Sequence, residues 1–257
     1  MKITILTLFP EMFTGILENS IIKRAIEKKV VEIKIVNIRD YTLDRYHRVD
    51  TPPIGGGAGL IMKCQPIVDA INANNGDTHH KILLSPRGEK YSQETAKRLL
   101  SMNKDIMLIC GHYEGVDERV NAYVDELVSI GDYILTGGEI PAMAITDSIV
   151  RLIDGTISED SIKEESFDEN LLEYPQYTEP REYNGVSVPD ILYSGNHEVI
   201  RKYRRKEALR ITRLYRPDLF AKINLTKEDK KLLDEIDEGI ELPNWINEVL
   251  VKTKNKF

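Results

Sequence analysis

Three short loops carry the residue types that a ligand pocket at the edge of a sheet requires. They are Ser85-Pro86-Arg87-Gly88, Gly111-His112-Tyr113-Glu114-Gly115, and the run from Ser129 to Pro141, which holds Gly131, Gly137 and Gly138. Glycine lets a backbone approach a ligand closely and take a positive φ. Singly, each loop reads as a plain turn, because Gly and Pro often only punctuate a chain. Together, each following a predicted strand, they favour one shared pocket, since ligands of open α/β sheets sit at the carboxyl ends of the strands. None reads G-x-G-x-x-G or G-x-x-x-x-G-K-[ST], so neither a dinucleotide nor a P-loop site is indicated. A second feature is basic. Arg201, Lys202, Arg204, Arg205, Lys206, Arg210, Arg213 and Arg216 stand in one short span against a single acid, Glu207. The formal net charge of -7 argues mildly against a nucleic-acid partner. Salt screens charges beyond about 8 Å, however, so a phosphate backbone feels the local cluster instead. The plain alternative for that span is a solvated helix face.

These residues need elements to position them. Ile3–Leu8 reads as a buried strand, Met12–Lys29 as a helix and Val31–Ile38 as a strand. Residues 40–59 read as a polar, glycine-rich loop. Pro66–Ala73 is helical, Lys81–Leu84 a strand, and Ser92–Met102 a helix with Ser92 as N-cap. Ile106–Cys110 and Glu126–Ile130 are strands, and Pro141–Ile153 is a strongly apolar helix. Such alternation predicts an α/β domain with a mainly parallel sheet. After Asp154 the composition turns acidic through Asn170 and reads as a linker. Beyond Pro175 the pattern becomes helical and basic, closing on an amphipathic segment from Thr226 to Ile236, with Thr226 as cap. The expected organisation is an α/β domain over 1–160, a linker over 161–175 and a small, mainly helical domain over 176–257. Cys64 and Cys110 match no metal-ligand spacing and read as reduced thiols of a cytoplasmic protein. No stretch is long and apolar enough to span a membrane.

Six blocks, in order along nearly the whole chain, now carry a resemblance. They are Leu8-Phe9-Pro10-Glu11-Met12-Phe13, Gly55-Gly56-Gly57-Ala58-Gly59, Leu84-Ser85-Pro86, Cys110 through Arg119, Ser129 through Pro141, and Ser194-Gly195-Asn196-His197. The chain resembles the TrmD family of tRNA (guanine-N1)-methyltransferases in the SPOUT superfamily. The resemblance implies an α/β fold with a deep trefoil knot, an exception to the rule against knots. It also implies S-adenosylmethionine as methyl donor and a homodimer with active sites between subunits. The implied substrate is tRNA with guanosine at position 37, beside the anticodon. By motif, the implied donor pocket is Leu84, Ser85, Pro86, Gly111, Tyr113, Glu114, Ser129, Ile130, Gly131, Tyr133, Leu135, Gly138 and Pro141. Glu114 could also be a solvated loop acid; a carboxylate there would favour a sulfonium. The implied substrate contacts are Asp50, Gly55, Gly56, Gly57, Gly59, Ser194, His197, Arg201 and Arg204.

Guanine N1 carries a proton, so methylation there needs a base and a partner for the charge that spreads onto O6. The family places an aspartate before Ser-Phe in the interdomain segment; this chain has Glu165 before Ser166-Phe167, with Asp160 and Asp168 as fallback bases. Arg151 matches the family arginine after the apolar helix, where a planar, permanently charged donor can serve O6; it could equally be a helix C-terminal cation. Two other departures touch base recognition: Thr51 and Ile54 stand where the family has aspartate and tyrosine. No protein metal site is expected, although a Mg2+ ion could accompany the substrate on the acidic linker. Two rival readings are a non-catalytic RNA-binding SPOUT protein and a SPOUT methyltransferase with another RNA target.

Overall fold

The structure is a computed structural model that describes residues 1–157, 167 and 170–254. The chain divides into two compact units, Met1–Glu159 and Asp160–Phe257. The first is built on five strands: β1 (Lys2–Thr7), β2 (Glu32–Asn37), β5 (His79–Lys90), β6 (Asp105–Cys110) and β7 (Glu126–Ser129). They form one sheet in the order β2-β1-β6-β5-β7, and every pair is parallel. The expected mainly parallel α/β sheet is therefore present.

Alternation along each strand explains why both faces are covered. Ile3 and Ile5 of β1, Ile82 and Leu84 of β5, and Ile106 and Leu108 of β6 point to one core, shared with the helices α2 (Ser20–Glu27), α4 (Gln93–Ser101) and α5 (Glu139–Val150). Leu6, Leu83, Met107 and Ile109 point to the opposite core, where Ile67, Ala70 and Ile71 of α3 (Cys64–Ala73) pack. Parallel strands buried on both faces are apolar at nearly every position, as these are. Ser92 caps α4 by accepting from the Thr95 N–H.

Three elements of the first unit depart from the sequence reading. Met12–Lys29 is not one helix. A 3-10 turn at Pro10–Phe13 leads into α1 (Thr14–Leu17), and the chain then breaks at the start of α2, where Ser20 has φ 54. A left-handed residue cannot continue a right-handed helix. Strand β5 runs on to Lys90 rather than stopping at Leu84. Its pairing with β7 shifts register between Leu84 and Glu89, so Ser85–Gly88 loop out and the strand resumes. Within residues 40–59, Asp50–Thr51 (β3) pairs antiparallel with Ile61–Met62 (β4).

The second unit contains a short hairpin, β8 (Glu182–Tyr183) and β9 (Val186–Ser187), where helix was expected to begin beyond Pro175. The turn is Asn184-Gly185, both at positive φ, which suits a two-residue hairpin. Then come α6 (His197–Tyr215), α7 (Pro217–Phe220), α8 (Lys227–Asp237) and α9 (Asn244–Lys254). Thr226 and Asp229 form a reciprocal capping box at the start of α8. The core of this unit is Leu171, Ala208, Leu209, Leu232 and Leu233, with Trp245 packed against it.

Candidate active site

Two of the glycine-bearing loops leave the carboxyl ends of β6 and β7, the third is the bulge within β5, and hydrogen bonds tie them to one another. The Gly138 N–H donates to the Gly111 carbonyl at 2.8 Å, and His112 bridges Gly137 antiparallel. Tyr91 N–H donates to Ser129 O at 2.7 Å, and Lys90 pairs with Asp132 at 2.7 Å. Arg87 reaches Glu118 at 2.9 Å, joining the Ser85–Gly88 bulge to the segment after Gly115. That pair is exposed and of little energetic weight, so it marks proximity more than stability.

Glycine is required where backbones meet. A Cβ on Gly138 would lie 2.7 Å from Cys110 Cα, and one on Gly88 would strike the Val128 backbone. Gly131 packs under the Tyr133 ring, and Ser129 Oγ accepts from its N–H at 3.2 Å. Leu84 and Pro141 are buried at the floor of this cluster; Ile130 and Leu135 are half-buried; Tyr113 and Tyr133 are exposed at its rim. Tyr113 itself has φ 59, an uncommon conformation for a bulky residue.

The glycine run is brought to the same place. Glu114 N–H donates to Leu60 O at 3.1 Å, Met62 N–H to Gly115 O at 3.0 Å, and Asp117 N–H to Met62 O at 2.9 Å. A side chain at Gly59 would collide with Glu114, so the Glu114 carboxylate lies against the run. Gly55, Gly56, Gly57 and Gly59 all have positive φ and are exposed. Asp50 pairs with Met62 at the base of this arm.

Of the two catalytic expectations, only one can be placed. Glu165, with Asp160 and Asp168, lies outside the described residues. Arg151 is the C-cap of α5, whose N-cap is Gly138. At 1.5 Å per residue the helix separates them by about 20 Å, so the structure does not bring Arg151 to the loops of its own chain. Residues that the sequence reading passed over sit beneath the loops instead. Glu139, 2% exposed, accepts from the Thr7 hydroxyl at 2.9 Å, and its other oxygen lies 3.7 Å from His112 Nδ1. The signal was available: Glu139 follows Gly137-Gly138 directly, and a carboxylate inside an otherwise apolar helix start has a reason to be there.

In the second unit, a cavity of about 990 Å³ is lined by Tyr174, Tyr177, Tyr193, His197, Arg201 and Arg204 among others; Arg204 stacks on Tyr174 at 4.6 Å. Ser194 sits just before, at the end of a 3-10 turn. The basic span is less available than its count implies. Asp229 takes Arg205 at 2.8 Å and Glu235 takes Lys206 at 3.0 Å. Glu207, Asp237 and Asp218 take Arg210, Arg213 and Arg216. Most of these acids lie outside the span, which is why counting within it overstated the free charge. Burial pushes the Asp229 carboxyl up, but Arg205 and the Thr226 cap pull it down further, and the net direction is down.

A parallel sheet whose loops are tied into one glycine-lined cluster defines an α/β protein, of the class in which ligands sit at the strand ends. Residues 1–222 match the family described as tRNA (Guanine-1)-methyltransferase TrmD, and the chain belongs to that family. Proteins named tRNA (guanine-N(1)-)-methyltransferase are similar over nearly their full length. The one from Dictyoglomus turgidum is 53% identical over 241 residues, 93% of this chain and 98% of that protein. That from Clostridium acetobutylicum is 53% identical over 237 residues, 91% and 97%. That from Clostridium botulinum is 50% identical over 242 residues, 93% and 100%.

Proposed function

We propose that this protein is the tRNA methyltransferase that places a methyl group on N1 of guanosine 37, drawing it from S-adenosylmethionine. The observation that carries the reading is the convergence of the three glycine-bearing loops with the Gly55–Gly59 run. The cluster suits a nucleoside-like cationic donor on two counts. Backbone is open to close approach at Gly55, Gly56 and Gly115, where nothing lies within 4 Å of an added Cβ, and the Glu114 carboxylate stands at its edge. Leu84, Ser85, Pro86, Tyr113, Ser129, Ile130, Gly131, Tyr133, Leu135 and Pro141 complete the proposed donor site. When bound, the donor supplies a methyl already activated on a positively charged sulfur.

The chain's own residues then orient, deprotonate and stabilise. Glu114 favours positive charge beside the glycine run. Asp50 and the exposed glycines Gly55, Gly56, Gly57 and Gly59 receive a base turned out of its stack. Glu165 takes the N1 proton, and Arg151 donates to O6 as negative charge spreads there. Because Arg151 sits a helix length from its own loops, a homodimer in which each protomer supplies Arg151 to its partner's loops meets the geometry. In the second unit Ser194, His197, Arg201 and Arg204 hold the anticodon arm through phosphate contacts, which set position rather than sequence. A trefoil knot and a cytoplasmic location belong to the same reading. So does a Mg2+ ion accompanying the RNA, and transfer that persists in EDTA overturns that part. No helix among the described residues is long and apolar enough to cross a membrane.

The test is methyl transfer from labelled donor to transcribed tRNAs, with the product mapped to a single nitrogen. Transfer that needs guanosine at position 37 supports the reading; tRNA binding without transfer supports a non-catalytic protein. Transfer elsewhere in the RNA supports a different SPOUT target. Glu165→Gln abolishes transfer and Glu165→Asp retains it. Full activity in Glu165→Gln removes this residue from the role of base.

A further inference from the structure

The pair beneath the loops has no role in the reaction as derived above. Glu139 opens α5 and is 2% exposed. One of its oxygens accepts from Thr7 Oγ1 at 2.9 Å, and that hydroxyl in turn accepts from the Phe9 N–H at 3.0 Å. The other faces His112 Nδ1 at 3.7 Å, beyond hydrogen-bond range yet close enough for attraction. His112 Nδ1 is buried and has no hydrogen-bond partner among the described residues. A buried polar atom without a partner is costly and asks for an explanation.

Two rings and a thioether flank His112. The Phe9 ring lies tilted at 4.8 Å and the Tyr113 ring edge-on at 4.9 Å. The backbone N–H of His112 donates to Met62 Sδ at 3.2 Å. Between the carboxylate and the imidazole stands Gly137, where any Cβ would collide with both Glu139 Oε2 and His112 Nδ1. Residue 137 thus has no room for a side chain because these two groups face one another across it. Charged groups on this and neighbouring elements include Glu139, Glu114 on the same loop, and Arg39, whose guanidinium is 3.5 Å from the Tyr113 hydroxyl. Thr7, His112 and Glu139 come from the ends of β1 and β6 and the start of α5. Gly111, Tyr113 and Glu114 flank His112, and Gly138 precedes Glu139.

We propose that Glu139 and His112 are positioning residues for the methyl donor. When the donor fills the cluster, His112 Nδ1–H closes the remaining gap of under 1 Å to a hydrogen bond and donates to Glu139 Oε2. That bond fixes Gly111–Gly115 against the first turn of α5 and sets the angle at which Tyr113 and Glu114 meet the donor. No bond beyond this hydrogen bond forms, and no proton is transferred. The proposal rests on the donor site described under Proposed function.

The test uses the full chain, S-adenosylmethionine and a transcribed tRNA substrate. Four proteins are compared: the native protein, Glu139→Gln, His112→Phe and the double variant. His112→Asn is a fifth, because its side-chain amide can donate from near the Nδ1 position. A hydrogen bond to a charged group is worth enough to shift affinity about tenfold or more. The expected result is a rise of about tenfold in donor Kd by calorimetry and in KM for the donor. KM for tRNA stays unchanged, the double variant is no worse than either single one, and His112→Asn restores most of the affinity. Additive losses overturn the proposal. So does a fall in thermal stability with donor affinity intact, or an equal loss in both substrates. A native protein that shows no heat with the donor overturns the donor site itself, and the pair with it; native binding matched by Glu139→Gln overturns the pair alone.

Discussion

Gly138→Ala isolates the contact on which the loop cluster depends. Gly138 has φ -81 and ψ -3, which alanine adopts freely, so the change carries no backbone strain. What it adds is one methyl, 2.7 Å from Cys110 Cα and 3.1 Å from Gly111 N. Ordinary contact begins near 3.4 Å, so the methyl is about 0.7 Å too close to the backbone of a buried strand. Strand β6 lies between β1 and β5 and cannot yield alone, so the Gly138–Gly111 hydrogen bond must lengthen and the two loops must part. Overpacking of this kind costs about 1–3 kcal/mol, a melting point lower by roughly 2–12 °C for a chain of this size. Because a misplacement of ~1 Å can cost a hundredfold in rate, donor affinity and transfer should fall by at least tenfold. Calorimetric melting and donor titration measure the two effects. Gly15→Ala is the control: it lies in α1 with nothing within 4 Å of the new methyl, and should be neutral or stabilising by up to about 1 kcal/mol. A Gly138→Ala protein that melts with the native one and binds the donor equally well refutes the reasoning.

Two further outcomes follow from the second unit. Asp229 is held by Arg205 and by the α8 cap, so Asp229→Asn should lose roughly 1–3 kcal/mol at neutral pH. Its carboxyl is depressed in the folded protein, so this stability is complete above the unfolded value near 3.9 and is lost as pH falls through the folded value. Urea titrations from pH 7 to pH 2 should therefore show the two proteins converging in acid, and a gap that stays constant over that range rules the assignment out. Arg201→Ala should reduce the slope of log affinity for tRNA against log salt by about one, with little change in donor binding; an unaltered slope removes Arg201 from the RNA interface.

What was legible in the sequence was local and periodic. The alternation in Ile3–Leu6 and Ile106–Cys110 reports two buried faces directly. Ser92 and Thr226 announce their helices because a capping hydroxyl acts within three residues of itself. The break at Ser20 was not legible, since serine is no usual left-handed residue and nothing but the polar Asn19-Ser20 step marks it. The extension of β5 past Gly88 was hidden because pairing with β7 resumes only after a four-residue bulge. The neutralisation of Arg205 and Lys206 depends on Asp229 and Glu235, more than twenty positions away, and no window around the basic span contains them. The glycine loops were legible as glycine loops; their mutual hydrogen bonds, and the Thr7–Glu139–His112 contacts beneath them, required three strand ends to be seen together.

Strand β6 lies at the centre of the sheet but enters the chain after β1, β2 and β5. While the polypeptide is being synthesised, β1 and β5 are therefore complete before the strand that joins them exists. Each then presents an unpaired apolar edge, a template for the wrong partner. The sheet can close only when residues near Cys110 become available, and pairing of such distant segments is slow. The nascent chain is thus most vulnerable to misassociation over that interval, and delay or crowding then should lower the yield of native protein more than the stability of the finished fold would imply.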